Sequence, residues 1–233
     1  MEELPRREAG RWKSSLLAAL LGILIGGGAM LAANGYFIRS YLLDHPEVIP
    51  EAMERLRDRE AAKAVSQHRA ALETPFYGAW AGAADGDVVL VEFFDYACGF
   101  CRASNPDVER LLREDPRLKV VWREYPVLGP DSERAALSSL AAAKAGRFRP
   151  FHDRLFATAR PTEAAIAGAR AAVGIGEPEI TEEFRAELQR NFEVGRAIGA
   201  SGTPSFVIGD RVLQGAVGYE ALRDAVATAR ARS

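Results

Sequence analysis

Two residues of the sequence are equipped for redox chemistry, and they lie three positions apart. Cys98 and Cys101 are the only 2 cysteines among 233 residues, spaced as Cys-Gly-Phe-Cys. Such a pair can close into a disulfide and reopen, a two-electron exchange that needs no bound group. Zinc is the other common use of paired thiols, but it takes four ligands. The chain offers beyond them only His45, His68 and His152, none paired at ligand spacing. No metal and no cofactor are expected. A purely structural bridge is disfavoured too, because closing so short a loop removes little entropy from the unfolded chain.

The flanking residues say how the thiols are held. Val88-Val89-Leu90-Val91-Glu92-Phe93-Phe94 reads as a strand buried on both faces, and the polar run 102–112 reads as a helix. The thiols therefore sit where a strand hands over to a helix N-terminus. Unpaired backbone N–H groups and the helix dipole favour negative charge there. Cys98 is expected to ionise with a pKa lowered from about 8.5 to roughly 3.5–7.5, and to be the attacking sulfur at the exposed helix end. Cys101, one turn on, is expected to be the buried resolving partner.

The strand, the acid Glu92 six residues before the first thiol, the Cys-Gly-Phe-Cys pair and the following helix resemble a thioredoxin-fold oxidoreductase. Val-Glu-Phe-Phe-Asp-Tyr-Ala-Cys resembles the DsbA-like branch in particular. The resemblance implies an α/β thioredoxin fold with a helical insertion. It also places Glu92 as a buried acid that assists proton transfer. Gly202-Thr203-Pro204 resembles the family's second active-site loop. That likeness implies a cis Thr203–Pro204 bond against the active-site sulfur, with the backbone of Thr203 open to an extended substrate. Gly99, Phe100 and Thr203 are the implied substrate contacts. Thr203 stands where the archetypal oxidase has valine and matches many isomerases and reductases of the fold.

The N-terminal third sets the address. Residues 14–38 carry no charge, and 16–33 are almost continuously apolar, behind Arg6, Arg7, Arg11 and Lys13. That length and charge order predict a signal-anchor or signal peptide, with a cytoplasmic N-terminus over 1–13 and the remainder exported to the periplasmic face of a bacterial inner membrane. Cleavage near residue 33 would release a soluble periplasmic protein. Export agrees with a redox-active pair, since disulfides persist outside the cytosol. A net charge of -2 supplies no basic surface for nucleic acid.

Residues 39–84 read as a charged helical spacer and a linker. Asp44-His45-Pro46 breaks a first apolar stretch; Val48, Ile49, Ala52, Met53 and Leu56 then form one helical stripe. Residues 41–52 resemble the N-terminal segment of ScsC- and Com1-like members of the DsbA family, which drives oligomerisation in some of them. A homo-oligomer is thus implied by resemblance, not by a heptad repeat. The glycines of 74–87 read as linker.

Residues 85–233 are expected to be the catalytic domain. Residues 119–124 read as a second buried strand in a parallel βαβ unit. Residues 131–199 read as the alanine-rich helical insertion, broken near Gly146, Pro150, Pro161 and Gly174. Residues 205–214 read as a hairpin turning at Gly209-Asp210, and 219–232 as a closing helix with Leu222, Ala225 and Val226 inward. His152, between phenylalanines, reads as a packed, hydrogen-bonded residue.

The expected activity is thiol:disulfide exchange with cysteine-containing exported proteins, in the oxidase or isomerase direction, with a membrane or periplasmic redox partner recycling the couple. The rival is a membrane-tethered chaperone for unfolded exported chains, with incidental thiols. Replacing both cysteines separates the two.

Overall fold

The computed structural model describes residues 9–232; of residues 9–15, 18, 29 and 31–33 it describes the backbone alone. The described residues form two compact units, one up to Leu56 and one from Arg57 onward.

In the first unit a long helix, α1 (Ala9–Asp44), ends where Asp44-His45-Pro46 was expected to break it, and α2 (Val48–Glu73) follows, its residues from Arg57 onward belonging to the second unit. The His45 Nδ1 lies 3.2 Å from the Tyr41 carbonyl, and its ring stacks on Tyr41. The expected span 14–38 is helical, but among the described residues no helix is long and apolar enough to cross a membrane. That leaves the membrane-spanning expectation unsupported; the side chains at 18, 29 and 31–33 lie outside the described set. The basic flank at Arg6, Arg7, Arg11 and Lys13 lies outside it as well. Tyr36, Phe37, Tyr41, Ile49, Met53 and Leu56 are exposed in this unit.

The second unit is built on a five-stranded sheet ordered β1-β3-β2-β4-β5. Its strands are β1 (Trp80–Gly82), β2 (Val88–Phe94), β3 (Leu118–Glu124), β4 (Ser205–Ile208) and β5 (Arg211–Gln214). β2 and β3 run parallel, joined by α3 (Gly99–Glu114), and the remaining pairs are antiparallel. This is the expected α/β thioredoxin-like arrangement. β1 falls inside the stretch expected to be linker; three residues between glycines are too few for a periodic signal.

The insertion is α4 (Pro130–Lys144), α5 (Phe148–Phe156), α6 (Glu163–Ala172) and α7 (Glu182–Ala197), and α8 (Tyr219–Arg230) closes the unit. Pro150 does not break the insertion. It sits in the first turn of α5, where a missing N–H costs no helical bond.

The period of two along the strands sorts their side chains between two cores. Leu90, Phe94, Leu118, Val120 and Trp122 face one cluster, with Cys101, Val108 and Leu111 of α3, Phe148 and Phe151 of α5, and Leu222 and Val226 of α8. Val91, Phe93 and Val121 face the other, with Val65 and Leu72 of α2, Val194 of α7 and Ile198 just after it. Each such large side chain contributes roughly 1.5–3 kcal/mol on burial. The C-terminal half of α2 therefore belongs to the core of the second unit. Its end is fastened by Arg123, which donates to the carbonyls of Ala71, Leu72 and Thr74 and pairs with Glu187 at 2.7 Å.

Candidate active site

Cys98 is the N-cap of α3, in extended backbone conformation, and its sulfur accepts from the Cys101 backbone N–H at 3.5 Å. A thiol here does what Ser or Asp usually does at a cap, with charge as the added consequence. Both cysteines are free thiols. Cys98 is not the exposed residue expected: it is only 5% accessible and Cys101 is 0%. Burial is thus shared by the two thiols, and electrostatics separates them. The Cys101 side chain donating to Cys98 lowers the Cys98 pKa to about 5, against its desolvation, with help from the Thr203 side chain and the backbone N–H groups of Cys101 and Phe100. Cys101 is pushed far up by burial, by that same hydrogen bond to Cys98, and by the nearby charge of Glu92. One sulfur is ready to be an anion and the other is held as a thiol.

The second active-site loop meets the first. The Thr203–Pro204 peptide bond is cis, and the Cys98 Sγ lies 3.2 Å from the Thr203 carbonyl oxygen. Phe100, in the first turn of α3, is 69% exposed. Gly99 has no neighbour within 4 Å of the place a Cβ would occupy, so the backbone on that side of Cys98 is open.

Glu92 lies on β2 between Leu90 and Phe94, on the face that carries the thiols, and is paired in register with Trp122 of β3. It is fully buried. Its Oε2 accepts from Trp122 Nε1 at 3.0 Å, while Oε1 has no hydrogen-bond partner. Desolvation raises the carboxyl to about 8; the Trp122 hydrogen bond opposes this, Glu109 and Cys98 reinforce it, and Arg149 opposes it. The structure thus brings Cys98, Cys101, Glu92, Thr203 and Pro204 together.

Several residues that sequence reasoning passed over support the site. Asp95 is buried, and its carboxylate accepts the N–H groups of Ala97, Val127 and Leu128 at 2.8, 2.9 and 3.0 Å. It thereby ties the active-site loop to the loop after β3, where Val127 and Leu128 are exposed. An Asp two residues before an unpaired N–H is a turn signal in its own right. Tyr96 bonds Ser139 Oγ at 2.8 Å and His152 Nδ1 at 3.3 Å. His152 is buried among Phe94, Trp122, Phe148 and Phe156. Desolvation and the Arg149 charge hold its pKa well below the usual value, so it is the packed residue expected. Among the described residues no cluster of His, Cys, Asp or Glu could hold a metal ion.

Comparison with known proteins agrees with this geometry. The family model described as "DSBA-like thioredoxin domain" matches residues 89–227, and that of the "Copper resistance protein ScsC N-terminal domain" matches 35–63. Among curated relatives, Na(+)/H(+) antiporter NhaA 3 of Salinispora tropica is 30% identical over 162 residues, covering 64% of this chain and 24% of its own. The chain spans about a quarter of the length of these antiporters. Disulfide bond formation protein D of Bacillus subtilis is 24% identical over 62% of this chain and 73% of its own. The catalytic domain of Proteus mirabilis ScsC superposes with a TM-score of 0.67 at 31% identity, over 73% of this chain and 98% of its own. A linker-deletion variant of that ScsC superposes at 0.73 and 27% identity, over 99% and 100%. With more than half of its length matched by the family model, the chain belongs to the DSBA-like thioredoxin-domain family.

Proposed function

We propose that this chain exchanges disulfides with cysteine-containing exported proteins through Cys98 and Cys101. The observation that supports this best is the asymmetry of the two sulfurs: a thiolate-prone Cys98 facing the Thr203 carbonyl, backed by a buried Cys101 thiol beside Glu92.

In the reductive direction the Cys98 thiolate attacks one sulfur of a substrate disulfide, forming a mixed disulfide and expelling one substrate thiolate. Glu92, as carboxylate, takes the Cys101 proton, and the new thiolate attacks Cys98. The Cys98–Cys101 disulfide forms, the second substrate thiolate leaves and takes up a proton, and two electrons have passed to substrate. Oxidation of substrate is the reverse. In isomerisation a substrate thiol displaces Cys98 before Cys101 attacks. Gly99, Phe100 and Thr203 are the contacts for an extended substrate segment, and Pro204 shapes the loop that presents Thr203.

Thr203 and the self-associating potential of the exposed apolar residues at 36–56 favour isomerase work by an oligomer. The charge-free stretch 14–38 supports export, with the catalytic unit on the periplasmic side as an anchored or released protein. A membrane or periplasmic redox partner would then recycle the couple.

Direction is tested by offering the protein reduced and scrambled ribonuclease in glutathione buffer. Reactivation of the scrambled form, lost in Cys98→Ala, supports isomerisation. Catalysed oxidation of the reduced form alone makes the protein an oxidase. Undiminished protection of unfolded protein by a variant lacking both thiols, with no exchange in the wild type, would favour the chaperone reading instead.

A further inference from the structure

The acid beneath the thiols is not held by a cation. Glu92 Oε2 takes its one hydrogen bond from a neutral indole, Trp122 Nε1, at 3.0 Å. The other side of that indole system carries the charge: the Arg149 guanidinium carbon lies 4.6 Å from the Trp122 ring centroid. Arg149 in turn binds Glu109 of α3 at 2.6 Å and lies 3.7 Å from Asp153, while its Nη1 is buried and unpartnered. A donor to a carboxylate is stronger when the acid is ionised, and a cation over an indole face further polarises the N–H at the ring edge.

We propose that Trp122 and Arg149 are positioning residues that set how readily Glu92 takes the proton of Cys101, Arg149 acting through the indole and through its charge. This rests on the proton-transfer role proposed for Glu92. The groups facing Glu92 are few. Trp122 comes from β3, Cys98 and Cys101 from the start of α3, Glu109 from its second half, and Arg149 from α5; His152 of α5 packs on Trp122 with a ring separation of 5.3 Å and is held neutral. Burial alone makes Glu92 a poor base near neutral pH. Trp122 and Arg149 oppose that burial, whereas Glu109 adds to it. An arginine of the helical insertion thus reaches the chemistry of the sheet without touching a sulfur.

The test is the titration of Glu92 in the reduced full-length protein, followed by carboxyl carbon NMR and assigned with Glu92→Gln. Trp122→Phe keeps a ring under Arg149 and deletes the donor. Its Glu92 midpoint should rise by about 1–2 pH units, the equivalent of one hydrogen bond to a charged group. Arg149→Gln should also raise it, Arg149→Lys should raise it less, and Glu109→Gln should lower it. In single-turnover release of a mixed disulfide on Cys98, the pH profile should move by the same amounts. An unchanged midpoint in both Trp122→Phe and Arg149→Gln overturns the proposal. A midpoint that moves while the release profile stays fixed overturns the proton-transfer role of Glu92, and with it the proposal that rests on that role.

Discussion

The sulfur of Cys98 lies 3.2 Å from the carbonyl oxygen of Thr203, a residue 105 positions away. The loop after a parallel strand and the loop before an antiparallel one converge there because β2 and β4 are neighbours, with Phe93 opposite Ser205.

Thiolate chemistry should follow from that end of α3. Alkylation of Cys98 in the reduced protein should be independent of pH above about 6 and fall roughly tenfold per unit below the pKa near 5. Cys101→Ala should accumulate mixed disulfides with substrate, and Cys98→Ala should not. Equal trapping by both variants would show the assignment of roles to be wrong.

Reduction should strengthen the fold. The Cys98 pKa is depressed in the folded state, so the dithiol form gains stability above the unfolded thiol pKa and loses it as pH falls through about 5. The disulfide opposes this by restricting the unfolded chain, worth only about 2 kcal/mol for so short a loop. Each net unit of depression is worth about 1.4 kcal/mol, so two units suffice to reverse the order. At pH 7–8 the reduced protein should melt above the oxidised one, and the gap should close toward pH 5. Calorimetry of both forms across pH checks this. A more stable oxidised form at pH 8 would remove the thiolate as the driving group.

Glu92 carries the opposite sign. Its folded pKa is raised to about 8, so it costs stability as pH climbs from its unfolded value near 4.5 to about 8, and the cost is constant beyond. Glu92→Gln, neutral and nearly isosteric, should melt higher than wild type at pH 8 by the equivalent of a few kcal/mol, and match it near pH 4. Its thiol exchange should be slower at every pH where wild-type Glu92 is ionised.

Arg123 and Glu187 are each 5% exposed in their side chains. Arg123→Met should destabilise the second unit by roughly 3–5 kcal/mol, because it leaves buried Glu187 with Arg190 alone, at 3.5 Å, and strands the carbonyls of Ala71, Leu72 and Thr74. The double change with Glu187→Leu should recover only the part due to the carboxylate, since the three carbonyls stay without their donor. Chemical denaturation of the four proteins of this cycle measures it.

Much of this was legible in the sequence because strand and helix announce themselves by period. Val88–Phe94, Leu118–Glu124 and the Ser205–Gln214 hairpin are dense in β-branched and aromatic residues. The thiol spacing and the acid at position 92 need only local reading. What stayed hidden was carried by pairings between distant residues. Trp122 looks like one more strand aromatic until Glu92 is placed opposite it, and Arg123 looks like a surface charge until α2 covers it. The accessibility of Cys98 was misjudged for the same reason, since the loop at Thr203 covers a cap that looks open along the chain. β1 left no trace at all, being three residues long beside a turn with Tyr77 at positive φ.

The grip of Arg123 on the end of α2 bears on where a functional fragment can be cut. A chain begun at residue 85 would lack Val65 and Leu72 from one face of the sheet and the carbonyls of Ala71, Leu72 and Thr74 from around a buried guanidinium. Sequence composition suggests an innocuous joint there. The compact unit starts instead at Arg57, so a protease that severs 74–87 should unlatch the core of that unit, not merely shorten its tether.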